Sequence, residues 1–324
     1  MLTRDMRAIR QHEFGGPEVL RLEEVPDPTP GPGQVRIRVE AAGIHRLDTS
    51  IRAADLPPTM PRPELPMTPG REVAGVVDEV GEGVDATWLG AKVVAHLGPG
   101  SSGGYAELAV ADETQLYLRP DGLESAEAVA AIGTGRTSAA VLEAAQISPD
   151  DVVVVTSAAG GMGAILLQGI RNAGARAVGL AGSDAKLEIA RGFGAQTAID
   201  YRTDGWLERL RAEEPRITVL LDGLGGEVPR QVYAHLEPEG RMVRFSGDQD
   251  GYEGAAKIVD ILGPWVQGRI KEFEQVSLEA AADGTRRPYV GSRFPLAEAS
   301  AAHAALESRE TTGKVVLVTR SSGL

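Results

Sequence analysis

The feature that most constrains this chain is a run of four valines, Val152–Val155, followed by Ala158-Ala159-Gly160-Gly161-Met162-Gly163 and an apolar stretch reaching Asn172. An unbroken β-branched run reads as a strand buried on both faces, and a glycine cluster between such a strand and a helix is a phosphate-cradling turn of a parallel α/β sheet. The spacing fits a dinucleotide fingerprint with Ala158 in the first glycine position. Gly160 lets the backbone approach a pyrophosphate, Gly163 lets helix and strand pack closely, and Ala159, Gly161 and Met162 complete a loop whose helix end offers amides to an anion.

The segments around this loop repeat the alternation. Strands are predicted at Ala175–Leu180, Val219–Leu221 and Met242–Phe245, with a helix at Ala185–Phe193, which predicts a parallel sheet covered on both faces. Helices are expected at Ala126–Ile132 and Thr137–Ala145, and the stretch 255–282 reads mainly as helical with a break at Gly263-Pro264. The first third differs. Val35–Glu40 alternates apolar and polar, Val73–Val80 is a β-branched run closed by Gly81-Glu82-Gly83, and half of the 20 prolines fall between Pro26 and Pro69, where they oppose regular helix. An irregular β domain is expected there. A helix near Leu296–Ser308 and a strand at Lys314–Thr319 end the chain.

Length and composition narrow the function. At 324 residues, two domains or one large interrupted one are expected. The formal charge of −13 argues against a nucleic-acid groove or an anionic membrane surface as the main partner, and no apolar run approaches the ~18 residues of a membrane span. With no cysteine, disulfides, thiolate nucleophiles and Cys-ligated metals are excluded. Met1–Arg10 has no apolar core of a secretory signal, so a cytoplasmic location is expected.

The end of the second parallel strand selects the cofactor. An acid there suits the ribose hydroxyls of NAD, whereas a 2′-phosphate needs cations and hydroxyls. The chain reads Ala181-Gly182-Ser183-Asp184-Ala185-Lys186, with Ser183 where the acid is usual, Lys186 one turn later, and Tyr201-Arg202 able to close the pocket. NADPH is therefore predicted; Asp184 is the residue that argues the other way.

Further matches run along the chain: Phe14-Gly15-Gly16-Pro17-Glu18-Val19-Leu20, Ala42-Gly43-Ile44-His45 with Asp48, Pro69-Gly70-Arg71-Glu72-Val73-Ala74-Gly75, Gly103-Gly104-Tyr105-Ala106-Glu107 and Thr312-Gly313-Lys314-Val315-Val316-Leu317. With the glycine loop they resemble the zinc-independent medium-chain dehydrogenases/reductases of the quinone oxidoreductase, or zeta-crystallin, group. The resemblance implies a GroES-like β-barrel catalytic domain over residues 1–125, completed by about 285–324, and a Rossmann NADPH-binding domain over 126–284, with an active site in the cleft between them. It also implies that Lys186 and Tyr201 hold the 2′-phosphate, that Thr137 lies near the carboxamide, and that Ser246-Gly247 follow the strand lining the nicotinamide.

Where zinc-dependent relatives carry Cys and His, this chain has His45 and Arg71, and a guanidinium cannot ligate a cation, so no metal is expected. His45 either polarises and protonates a substrate carbonyl, with Asp48 beside it, or is a packed side chain bonded to Asp48. Arg136, where an apolar residue is common, either places a cation beside the nicotinamide or forms a salt bridge. The segment 247–293 reads as shorter than in relatives, which puts the usual family dimer in doubt.

The expected activity is metal-free hydride transfer from NADPH to a quinone or to the C=C of an α,β-unsaturated carbonyl compound. The alternatives are a non-catalytic NADPH-binding structural or regulatory protein, and a biosynthetic enoyl reductase acting on a polyketide-like enone.

Overall fold

The computed structural model describes residues 5–57, 60–98, 103–245, 251–261 and 263–319. Two compact units emerge from its contacts, one formed within Met1–Gly133 and Val290–Leu324, the other within Thr134–Tyr289. No helix among the described residues is long and apolar enough to cross a membrane.

The first unit is mainly antiparallel. A hairpin of β1 (Asp5–Gln11) and β2 (Leu20–Pro26) precedes the long strand β3 (Gln34–Ile44). Helix α1 (Arg46–Ala53) follows, then β4 (Glu72–Val80), β5 (Lys92–His96), β6 (Leu108–Asp112), β7 (Leu116–Leu118) and helix α2 (Ser125–Ala130). In β3 the alternation read from the sequence is realised: Val35, Ile37 and Val39 are buried, and Arg36 meets Asp78 at 2.9 Å and Glu79 at 2.7 Å on the other face. Strand β4 lies so close to β3 that a side chain on Gly75 would collide with the Arg38 carbonyl.

Helix α1 corrects the expectation that the proline-rich stretch holds no helix. It occupies the proline-free window between Pro32 and Pro57 and starts with a local device: Asp48, three residues into the helix, accepts the backbone N–H of His45 at 2.7 Å.

The second unit begins with a π-helical turn, Ala131–Gly135, at its boundary and continues with α3 (Arg136–Ala145), β8 (Val152–Val155), α4 (Gly161–Asn172), β9 (Arg176–Ala181), α5 (Asp184–Phe193), β10 (Thr197–Asp200), α6 (Trp206–Glu213), β11 (Ile217–Asp222), α7 (Glu227–Tyr233), β12 (Leu236–Arg244), β13 (Lys257–Asp260), α8 (Pro264–Gln267) and α9 (Ile270–Ala282). Its six strands are parallel in the order β10-β9-β8-β11-β12-β13, the doubly wound order whose direction reverses between β8 and β11. The valine run is the central strand, and Val153–Val155 are fully buried.

Strand β13 corrects the helical reading of 255–282, because Lys257–Asp260 pair in parallel with Arg241–Arg244. The chain then returns to the first unit with β14 (Ser292–Pro295), α10 (Ala299–Glu307) and β15 (Val315–Val318), and β15 pairs antiparallel with β3.

Candidate active site

The glycine loop stands at the carboxyl end of β8, at the switch point of the parallel sheet, where open α/β sheets bind ligands. Its shape comes from missing side chains. A Cβ on Gly163 would collide with the carbonyl oxygens of Ser157 and Ala158, and Ser157 itself is held at φ 53°, an uncommon conformation for a residue with a side chain. The loop is anchored to its neighbours: Ala158 N–H donates to the Leu180 carbonyl at 3.0 Å, and Thr156 Oγ1 donates to buried Asp222 at 2.9 Å. Helix α4 has no side-chain cap at Gly160, so its first amides are left for a ligand.

At the ends of β9 and β10 the structure brings Gly182, Ser183, Lys186, Tyr201 and Arg202 together. A Cβ on Gly182 would lie 3.3 Å from Tyr201 Oη and 3.1 Å from Arg202 Nε. Ser183 Oγ caps α5 by accepting the Lys186 N–H at 3.4 Å, which leaves its hydroxyl proton to donate. Asp184 is exposed in the first turn of α5. Thr137 is partly buried in the first turn of α3, and beside it Arg136 forms a 3.0 Å ion pair with buried Glu274, which decides for the salt bridge. Ser246 and Gly247 lie outside the described residues. An uncapped helix end, a glycine cradle and a hydroxyl–cation group at the second strand fit the pyrophosphate and 2′-phosphate of NADPH.

His45 and Asp48 lie in the other unit, at the start of α1. The His45 side chain keeps 20% of its surface exposed, while Asp48 is buried. His45 Nδ1 is 3.4 Å from Asp48 Oδ2, and Nε2 is 2.6 Å from Lys314 Nζ and 3.0 Å from Glu72 Oε2. Nε2 thus sits between a buried ammonium, which can only donate, and a buried carboxylate, which can only accept. Burial would push the Asp48 carboxyl up, but the bond from His45 and the charges of His45 and Arg71, whose Nε is 3.2 Å away, outweigh it and hold the group well below the usual carboxylate range. A divalent metal does not suit this place, where a lysine ammonium and an arginine guanidinium already supply the positive charge.

Sequence reasoning missed Lys314, Tyr105 and His303 as members of this cluster. Here His303 is fully buried and is bonded to Tyr105 and Arg52 at 3.2 Å each. Burial, assisted by the Arg52 charge and opposed by Asp48, lowers its pKa to about 4. The only signal in the sequence was a polar side chain in an otherwise alanine-rich helix face, Ala299–Ala305.

Comparison with known proteins finds family matches in both units. Residues 31–121 match the alcohol dehydrogenase GroES-like domain, and 193–317 match the family described as zinc-binding dehydrogenase. Quinone oxidoreductase of Rattus norvegicus is 32% identical, covering 97% of this chain and 98% of that protein. A 2-haloacrylate reductase of a Burkholderia species is 31% identical, covering 95% of this chain and 97% of that protein. The crystal structure of Escherichia coli quinone oxidoreductase complexed with NADPH superposes with a TM-score of 0.84 at 29% identity, covering 96% of this chain and 99% of that one. Agreement along nearly the entire length, in a chain without cysteine, shows that this protein belongs to the quinone oxidoreductase group of the zinc-independent medium-chain dehydrogenases/reductases.

Proposed function

We propose that this chain is an NADPH-dependent reductase that passes hydride, without a metal, to a quinone or to the C=C of an α,β-unsaturated carbonyl compound. The observation that carries this reading is His45 Nε2, poised between Lys314 Nζ at 2.6 Å and Glu72 Oε2 at 3.0 Å on a ring that is still partly exposed. Gly160, Gly161, Met162 and Gly163 would take the pyrophosphate, with Ala159 beside it, Thr137 the carboxamide, and Ser183, Lys186 and Tyr201 the 2′-phosphate; bound NADPH supplies the hydride.

The remaining work falls to the chain's own residues. His45 faces the acceptor carbonyl, polarises it and delivers a proton as hydride arrives on carbon. His45, whose side chain keeps 20% of its surface exposed, takes a proton back from solvent after delivering one, while buried Lys314 and Glu72 hold the ring at Nε2. Asp48 keeps the ring turned so that Nδ1 faces inward. One hydride and one proton are taken up per acceptor, and NADP⁺ is left.

The test is NADPH consumption against a panel of quinones, enones and acrylates. Acceptor-dependent oxidation supports the reading, and the class turned over fastest names the substrate. Tight NADPH binding without turnover on any acceptor would instead identify a non-catalytic NADPH-binding protein.

A further inference from the structure

We propose that His303 and Tyr105 are positioning residues for His45, forming with Arg52 a one-way chain of hydrogen bonds that ends on Asp48. The proposal rests on the role just assigned to His45. Its members come from distant parts of the first unit, Arg52 and Asp48 from α1, Tyr105 from the loop before β6 and His303 from α10, and all are buried: Tyr105 and His303 at 0% exposure, Arg52 at 3% and Asp48 at 4%.

Donor chemistry fixes the direction. An arginine can only donate, so Arg52 Nη1, 3.2 Å from His303 Nδ1, makes that nitrogen an acceptor. A neutral ring then carries its proton on Nε2 and donates it to Tyr105 Oη at 3.2 Å. The tyrosine hydroxyl, its lone pair taken, turns its own proton to Asp48 Oδ2 at 3.4 Å. Arg52 is held in turn by Glu307 at 2.6 Å and the Gly15 carbonyl at 3.1 Å. Every proton along the chain points toward one carboxylate.

That carboxylate is the one beside His45. Asp48 Oδ1 accepts from Arg71, and Oδ2 receives the His45 backbone N–H and the Tyr105 hydroxyl while facing His45 Nδ1. The charged groups around the His45 ring are Asp48 from α1, Glu72 from β4, Lys314 before β15 and, through Asp48, Arg71. Burying this many polar side chains is unfavourable compared with an apolar filling of the same volume, and a core that needed only packing would not require them. The chain holds Asp48 ionised and in one rotamer, and this sets how strongly the ring retains its proton.

Isotope-labelled histidine NMR on the full-length protein is practical, because the sequence has only five histidines. His303 is expected to carry its proton on Nε2. Tyr105→Phe keeps the ring packing and removes the last donor, which leaves more negative charge on Asp48 facing His45. The His45 titration midpoint should rise by a few tenths to about one pH unit, the worth of one hydrogen bond. Acceptor turnover should fall with NADPH affinity unchanged. His303→Gln, whose amide can both accept from Arg52 and donate to Tyr105, should stay near wild type, whereas His303→Leu should reproduce Tyr105→Phe, and the double variant should add nothing further.

A His45 midpoint unmoved by Tyr105→Phe, a proton on His303 Nδ1, or additive effects of the two substitutions would overturn the proposal. If His303→Leu does not fold, Tyr105→Phe and His303→Gln decide the matter. The NMR readout needs no substrate, so failure to find an acceptor leaves it intact and counts only against the proposed reaction.

Discussion

The two candidate sites, one in each unit, are built on opposite principles. The loop from Ala158 to Gly163 is made by leaving side chains out, so that main-chain groups and a helix end stay accessible. The cluster around His45 is made by bringing charged side chains in, with Glu72, Asp48 and Lys314 each less than 5% exposed and Lys314 lying 269 residues from His45 in the sequence. A pyrophosphate is the same in every NADPH, and a fixed backbone shape is enough to hold it. A proton that must be held and then released needs opposed charges whose balance the fold maintains. In the proposed function the first principle serves binding and the second serves chemistry.

The comparison breaks most visibly if the balance is removed. Lys314→Met takes the ammonium away from Glu72 and His45 inside the core, and unfolding experiments should show a loss of about 3 to 5 kcal/mol, the usual cost of breaking a buried pair. A loss below about 1 kcal/mol would mean that the cluster is not held by its charges. Acid provides a milder perturbation. His303 titrates near 6.5 when unfolded and at about 4 when folded, so between these values the unfolded chain binds a proton that the fold refuses. Stability is complete above pH 6.5 and should fall toward pH 4 by on the order of 3 kcal/mol, and His303→Gln should flatten this part of the profile. Lys186→Ala probes the other site. It should weaken NADPH binding by about 1.5 to 3 kcal/mol and leave NADH nearly unchanged, with no effect on the His45 region. Equal affinity of the wild type for both cofactors would remove the basis for assigning Ser183, Lys186 and Tyr201.

The same contrast explains what could be read from the sequence. The valine run, the glycine loop and the parallel strands were legible because their cause lies within a dozen or so residues: a β-branched run, a turn that tolerates no Cβ, an apolar helix behind it. The start of α1 was equally local, since the His45–Asp48 spacing is a capping arrangement, although the surrounding prolines hid the helix. Strand β13 was not legible. Four residues, Lys257–Asp260, with charges at both ends owe their extended form to pairing with β12 rather than to their own pattern. His303 was invisible for the same reason, because its partners Arg52 and Tyr105 lie 251 and 198 residues away and only the closed fold brings them together.

The central claim is that binding and chemistry are divided between the two candidate sites, and His45→Ala tests it most directly. The measurement is single-turnover oxidation of bound NADPH on mixing with the best acceptor of the panel, paired with NADPH affinity by titration. The account predicts unchanged NADPH affinity and a rate about 10²-fold or more below wild type, with His45→Asn between the two because an amide can polarise a carbonyl but cannot deliver a proton. A folded His45→Ala protein that reduces the acceptor at the wild-type rate would contradict it, and would show that His45 only fills space while the proton comes from water.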